Sequence, residues 1–291
     1  MANITETLEK AAETLRRSEI AEPRREAATL LAFALDKDKI YLIAHSEYEL
    51  SAGEETYFQA LLQRRASREP FQQIAGRQEF FGLDFIVTKD VLIPRPETEL
   101  IVEHAINILR ELESPRFCEV GTGSGCISVS ILHELKNASA IGLEISEKAL
   151  EITSRNAEIH RVAERLDLKI SDVFAALTQE KFDVIVSNPP YIAREEIDEL
   201  QPEVRDYEPH VALTDENDGF SIIEQLIEEA PRFLESDGFL LIEIGFNQAA
   251  HVIEMFDAKI WRAVEILPDL QNIPRMVRAQ IYSAPGDVAA R

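Results

Sequence analysis

Between residues 116 and 282 the chain switches repeatedly from a short apolar run to a stretch of helical spacing, and this alternation restricts the fold more than any other feature. Runs at Arg116–Val120, Ala138–Leu143, Leu166–Ile170, Phe182–Ser187 and Phe239–Ile244 read as strands, and two more are expected near Ile260–Leu267 and Met276–Tyr282. Helices are expected between them, one capped by Ser146 and running through Asn156, another over Gly219–Leu234. Strands joined through helices must pair by crossovers, which gives an α/β, doubly wound, mainly parallel seven-stranded sheet.

Upstream the pattern is different. Leu8, Ala11, Ala12 and Leu15 recur at helical spacing, as do Ala27, Leu30, Leu31 and Ala34 after Pro23. A short piece at Ile40–Ile43 and a fourth helix over Gly53–Arg68, with Tyr57, Leu61 and Leu62 inward, complete a small helical bundle. Gln78–Val87 reads as a β-hairpin turning near Gly82. The expected division is a helical domain over residues 1–75, a hairpin linker over 76–93 and the α/β domain over 94–291.

Ligands of such sheets bind beyond the carboxyl ends of the strands, where strand order reverses. Three conspicuous stretches lie at strand ends. Gly121-Thr122-Gly123-Ser124-Gly125 follows the first strand of the sheet, and glycines there let backbone approach a ligand closely. Glu144 ends the second, 19 residues after Gly125, where a carboxylate can accept from a ribose diol. This pair also fits a nicotinamide site, but the dinucleotide fingerprint needs a third glycine where Cys126 stands. The GxGxG form is closer to loops that bind nucleoside-sulfonium methyl donors, and Asp172, ending the third strand, is placed to hold an adenine amine.

Asn188-Pro189-Pro190-Tyr191 follows the fourth strand. Neither proline has an N–H, and each restricts the residue before it to extended geometry. The result is a stiff exit rich in acceptors, with the Asn188 side-chain oxygen and the Tyr191 ring beside it. That suits a planar group bearing an NH2, such as a side-chain amide or a nucleobase amine; a rigid turn after a core strand is the alternative.

Charge narrows the partners. The formal net charge is −23, of which residues 1–75 carry −3 (10 Lys and Arg against 13 Asp and Glu) and the remainder −20. A phosphate backbone is repelled by such a surface unless a basic stripe overrides it, and the sequence has none, so no direct nucleic-acid binding is expected. No run of about 18 apolar residues predicts a membrane span. The start of the chain lacks signal-peptide regions, and the two cysteines, Cys118 and Cys126, read as small core residues; a cytoplasmic, metal-free protein is expected.

Four motifs occur in order: Leu92–Glu99 (LIPRPETE), Glu119–Gly125 (EVGTGSG), Ser187–Tyr191 (SNPPY) and Leu241–Gly245 (LIEIG). With the helical N-terminal module, nearly the whole chain resembles the protein-(glutamine-N5) methyltransferase family that modifies peptide chain release factors (PrmC/HemK). The resemblance implies a class I methyltransferase sheet, S-adenosyl-L-methionine as donor, and the glutamine of a Gly-Gly-Gln loop in class-one release factors as acceptor. Residues 1–75 are expected to dock the substrate, with a stabilising extension of the catalytic domain as the alternative reading. By position, Gly121, Thr122, Gly123, Ser124 and Gly125 would face the methionine part, Glu144 the ribose, and Asp172 with Val173 the adenine. Asn188, Pro189, Pro190 and Tyr191 would hold the substrate amide, with Asn188 also beside the donor and Arg95–Thr98 bordering it. Glu119 and Glu144 stand where the family often has Asp, Val173 where some members carry an aromatic residue, and Asn272 where a glycine is common. A nucleic-acid adenine or cytosine amino-methyltransferase shares the NPPY motif and is the competing reading; a non-catalytic nucleotide-binding protein is a third.

Overall fold

A computed structural model describes residues 2–282. The chain divides into two compact units, one of Met1–Gly76 with Gln201–Tyr207, the other of Arg77–Leu200 with Glu208–Arg291.

The first unit is built from α1 (Ile4–Arg17), α2 (Pro23–Leu35), α3 (Lys39–Ala44), α4 (Ala52–Ala66) and α5 (Phe71–Ala75). Its helices begin where polar side chains can accept orphan N–H groups: Asn3, Asp38 and Ser51 cap α1, α3 and α4, and Ser51 forms a reciprocal capping box with Glu54. Leu15, Leu30, Leu31, Phe58, Leu61 and Leu62 are buried together. The inward face of α4 is therefore Phe58, Leu61, Leu62 and Arg65, and Tyr57, read as inward from the sequence, is 48% exposed. Both choices fit helical spacing; Phe58 wins because its ring needs no buried partner for a hydroxyl.

The segment Gln201–Tyr207, which carries the short α9 (Pro202–Arg205), is fastened into this unit. Buried Arg65 donates to Glu26 at 2.8 Å and to Glu203 at 3.0 Å, and Arg68 donates to Glu203 at 2.6 Å. Gln73 donates to the Tyr207 carbonyl at 2.9 Å, and the Tyr207 hydroxyl to the Ser67 carbonyl at 2.5 Å. Nothing in the local sequence announced this excursion from the 94–291 stretch.

The second unit opens with the hairpin β1 (Arg77–Phe80) and β2 (Leu83–Ile86), then α6 (Glu99–Leu109). The hairpin belongs to this unit, where the sequence reading had it as a linker. The alternating stretch follows: β3 (Arg116–Val120), α7 (Cys126–Glu134), β4 (Ser139–Glu144), α8 (Glu147–Ile159), β5 (Leu166–Ile170) and β6 (Phe182–Ser187). It ends with α10 (Ser221–Glu229), β7 (Leu234–Glu243), α11 (Ala249–Glu254), β8 (Trp261–Pro268) and β9 (Pro274–Ile281). The helix expected as far as Leu234 stops at Glu229, because Pro231 has no N–H to continue it, and Leu234 already starts β7.

Among the described residues these strands form a seven-stranded sheet in the order β5-β4-β3-β6-β7-β9-β8. β3 to β7 run parallel, and β9 is antiparallel to both its neighbours. Side chains alternate across it as the strand period requires. Phe117, Val184, Val186 and Leu241 join the helices α6 and α7 on one face; Cys118, Val120, Ile185, Leu240 and Ile242 join α10 on the other. Full burial of each large apolar side chain contributes about 1.5–3 kcal/mol. Order reverses between β3 and β6: the chain goes from β3 outward to β4 and β5, then returns to the other side of β3. The glycine loop and the Asn188 turn leave the two strands that flank this switch point.

Candidate functional site

A cavity of about 390 Å³ opens at the switch point, within the about 300–1,000 Å³ usual for small-molecule sites. It brings together Gly121, Thr122, Gly123, Ser124, Glu144, Asp172, Val173, Asn188 and Pro190. Arg95 and Thr98 also line it. Gly125, Pro189 and Tyr191 do not.

The glycine loop needs glycine for two different reasons. Gly121 and Gly123 take φ of +77° and +54°, and a Cβ on either would meet nothing within 4 Å. Their missing side chains leave room for a guest. Gly125, at φ +80°, is packing: a Cβ there would sit 2.7 Å from Thr153 Cγ2. The loop is held from α8, where Thr153 Oγ1 donates to the Gly123 carbonyl at 2.9 Å. Asn156, fully buried, donates to the Ser124 carbonyl at 2.8 Å and accepts from Ile86 N–H at 2.8 Å, tying loop to hairpin.

Glu144 is buried beside this loop. Its Oε2 accepts from Gly123 N–H at 2.9 Å and its Oε1 from Ser146 N–H at 3.0 Å. Each oxygen keeps a second lone-pair direction for a hydroxyl pair on a guest. Glu119, at the floor, accepts from Ser128 N–H at 2.9 Å and from the Ser128 hydroxyl. Burial pushes its carboxyl up to about 8, against the pull of Ser128 and with help from Glu144. Val173 takes a φ of +44°, costly for a β-branched residue, and is kept there partly by the Ser171 hydroxyl donating to its carbonyl at 2.8 Å. Asn272, where a glycine was noted as common, adopts φ +62°, a conformation that Asn tolerates better than most residues.

The Asn188 turn is organised from three sides. Asn188 Nδ2 donates to Thr98 Oγ1 at 3.2 Å, which turns Oδ1 the other way. Thr98 Oγ1 donates to Glu243 Oε2 at 2.8 Å, and the Tyr191 hydroxyl to Glu243 Oε1 at 3.3 Å. Gln248 donates to the carbonyls of Tyr191, at 3.0 Å, and Gly219, at 3.1 Å. Tyr191, read from the sequence as a flat face for the guest, instead packs on the core beneath and offers its hydroxyl to Glu243. Burial pushes the Glu243 carboxyl up to about 7 despite those two hydroxyl donors. Burial and the adjoining carboxylate also raise the Tyr191 phenol, which stays protonated and able to donate.

The carboxylates Asp90, Glu144, Asp172, Asp215 and Glu216 line the cavity, with the Glu119 carboxyl held toward its neutral form by burial, and Arg95 is the single cation among the described lining residues. Arg95 is itself paired with buried Glu208 at 2.5 Å, which also accepts from Ile93 N–H at 3.1 Å. Such a wall opposes a pyrophosphate and favours a guest carrying positive charge with a diol. The residues therefore fit S-adenosyl-L-methionine and not a dinucleotide. Glu144→Ala should lower affinity for that donor tenfold or more, since a charge-assisted contact of about 1.5–3 kcal/mol is lost and the Gly123 N–H is left without its acceptor. Calorimetry giving unchanged affinity would remove Glu144 from the site.

Thr153, Asn156, Gly219, Glu243 and Gln248 were not singled out as site residues from sequence; Thr98 was, as the end of the Arg95–Thr98 stretch expected to border the donor. Of the five missed, only Glu243 sat inside a quoted motif, LIEIG. Among the described residues no cluster of His, Cys, Asp and Glu could hold a metal, and no helix is long and apolar enough to cross a membrane. Cys118 and Cys126 are buried free thiols.

Residues 6–76 match the family described as PrmC N-terminal domain, and residues 97–202 the methyltransferase small domain. A release factor glutamine methyltransferase of Burkholderia pseudomallei is 43% identical, over 91% of this chain and 94% of that protein. One of Geobacter sulfurreducens is 40% identical, over 89% of each. A methyltransferase structure from Pyrococcus furiosus shares the fold, with a TM-score of 0.52 at 18% identity, covering 78% of this chain and 98% of that one. Similar to these enzymes over 89–91% of its length, the chain belongs to the release factor glutamine methyltransferase family.

Proposed function

We propose that the protein methylates the side-chain amide nitrogen of the glutamine in the Gly-Gly-Gln motif of class-one peptide chain release factors, in the cytoplasm, with S-adenosyl-L-methionine as donor. The observation carrying this reading is that Asn188 and Pro190 share one cavity with the glycine loop and Glu144. Donor and acceptor groups can thus meet on one wall.

The donor supplies a methyl group on a sulfonium, already a good leaving group, so the protein needs no nucleophile of its own. What the protein must do is prepare the nitrogen. An amide lone pair is delocalised into its carbonyl and attacks poorly. Asn188 Oδ1, on the cavity wall, accepts from its N–H, biases the nitrogen toward a pyramidal shape and stabilises the positive charge that develops there. Holding nitrogen and methyl carbon in a near-attack geometry contributes about 7–11 kcal/mol more. Glu144 and Asp172 fix the ribose and adenine ends, and Arg95 and Thr98 border the donor. The helical unit of residues 1–75 grips the factor away from the reacting group, where remote binding energy can position a flexible loop.

The test is methyl transfer from labelled donor to a purified release factor, with mass spectrometry locating the methyl. Label should appear on the Gly-Gly-Gln glutamine and vanish when that residue is changed to Glu, which offers no N–H to Asn188. Label on DNA or RNA with none on the factor would replace this reading with the nucleic-acid one.

A further inference from the structure

We propose that Glu243 is a positioning residue: acting through the Thr98 hydroxyl, it fixes which way round the Asn188 side-chain amide stands. The inference rests on the reading of Asn188 as the group that accepts from the substrate amide.

The argument is a count of protons. A hydroxyl has one hydrogen to donate. Thr98 Oγ1 lies 2.8 Å from Glu243 Oε2, and in its ionised form the Glu243 carboxyl can only accept, so in that form the hydrogen of Thr98 goes to Glu243. Toward Asn188, 3.2 Å away on its other side, Thr98 then has only lone pairs to offer. An amide meeting an acceptor must present its NH2. Nδ2 therefore faces Thr98 and Oδ1 is left on the opposite edge, the orientation a substrate N–H requires. The second carboxylate oxygen is occupied by the Tyr191 hydroxyl, so the same residue anchors both ends of the Asn188–Tyr191 turn. Glu243 is 3% exposed and Thr98 2%, which keeps water from substituting for either partner.

Gln has nearly the shape of Glu but lacks this one-way character. With its NH2 toward Thr98, the Thr98 hydrogen is released to Asn188 Oδ1, and the Asn188 amide can reverse to show NH2 to the substrate. Glu243→Gln should therefore lower kcat by about 10- to 100-fold, a usual scale for losing a group that orients a functional one. Donor affinity and the melting profile should stay within a few-fold and a few degrees of wild type. Thr98→Val should show the same loss, Thr98→Ser should recover most of it, and the losses of Thr98→Val and Glu243→Gln should fail to add in the double variant, as expected for one chain of contacts.

Asn188→Ala, run in parallel, separates the two layers of argument. If Asn188→Ala is inactive while Glu243→Gln turns over normally, the orientation role is overturned and the site reading stands. If Asn188→Ala itself turns over normally, the site reading fails and this inference falls with it. If Thr98→Ser is as impaired as Thr98→Val, the hydroxyl is not what acts, and the relay is likewise overturned.

Discussion

Replacing Asn188 by Ala should cut turnover by about 10²- to 10³-fold and leave S-adenosyl-L-methionine affinity within a few-fold of wild type. That is the range for removing one aligned contact that strengthens in the transition state. The split follows from the layout of the cavity. The glycine loop assigned to the donor is held at Gly123 and Ser124 by Thr153 and Asn156 of α8, with Glu144 accepting from Gly123 N–H, and not through Asn188. Asn188 is instead tied to Thr98 and, beyond it, to Glu243 on β7. Its loss removes the acceptor for a substrate N–H and little else. Single-turnover rates at saturating donor and factor, with calorimetric donor affinities, measure both halves. Turnover within a few-fold of wild type would return the Asn188–Tyr191 turn to a structural role.

Gly219→Ala should damage both stability and turnover although residue 219 lies outside every motif. Gly219 has a φ of +82°, and a Cβ would stand 2.3 Å from the Tyr191 carbonyl oxygen, 2.9 Å from its carbon and 3.2 Å from Ala193 N. These are backbone atoms that cannot swing aside as a side-chain end can. The left-handed conformation alone costs about 1–2 kcal/mol for a residue with a Cβ, and the forced backbone shift about 1–3 kcal/mol more. For a unit of this size each kcal/mol moves Tm by about 2–4 °C, so a fall of about 4–20 °C is expected. Displacing Tyr191 also breaks the bridge from Gln248 to both carbonyls and drags the acceptor turn out of place, so turnover should fall tenfold or more. An unchanged melting curve would show that the Tyr191 turn can yield without cost.

What could be read from the sequence was whatever local chemistry decides. The parallel strands were legible because apolar runs separated by helical spacing have few alternatives, and the glycine loop, Glu144, Asp172 and Asn188 because strand ends at a switch point are where such sheets bind ligands. The misses have one cause, which is distance along the chain. Glu243 meets Thr98 across 145 positions, and Gly219 is constrained by Tyr191 through space. Asn156 reaches 70 residues back to Ile86. No window of sequence contains both members of any of these pairs. Tyr57 was misplaced for a different reason: Tyr57 and Phe58 both satisfy a helical stripe with Leu61, and only packing chooses.

The excursion of Gln201–Tyr207 has a consequence for synthesis. The helical unit reaches Gly76 early, yet its own boundary includes a segment made 131 residues later. At about 5–20 residues per second that is a delay of about 7–26 s. Until Glu203 arrives, buried Arg65 has Glu26 but lacks its second carboxylate, and a guanidinium kept out of water with too few acceptors is costly. The N-terminal helices therefore wait on the ribosome in an unfinished form. A unit that reads as the first to fold closes only after β6 and the Asn188 turn have been made.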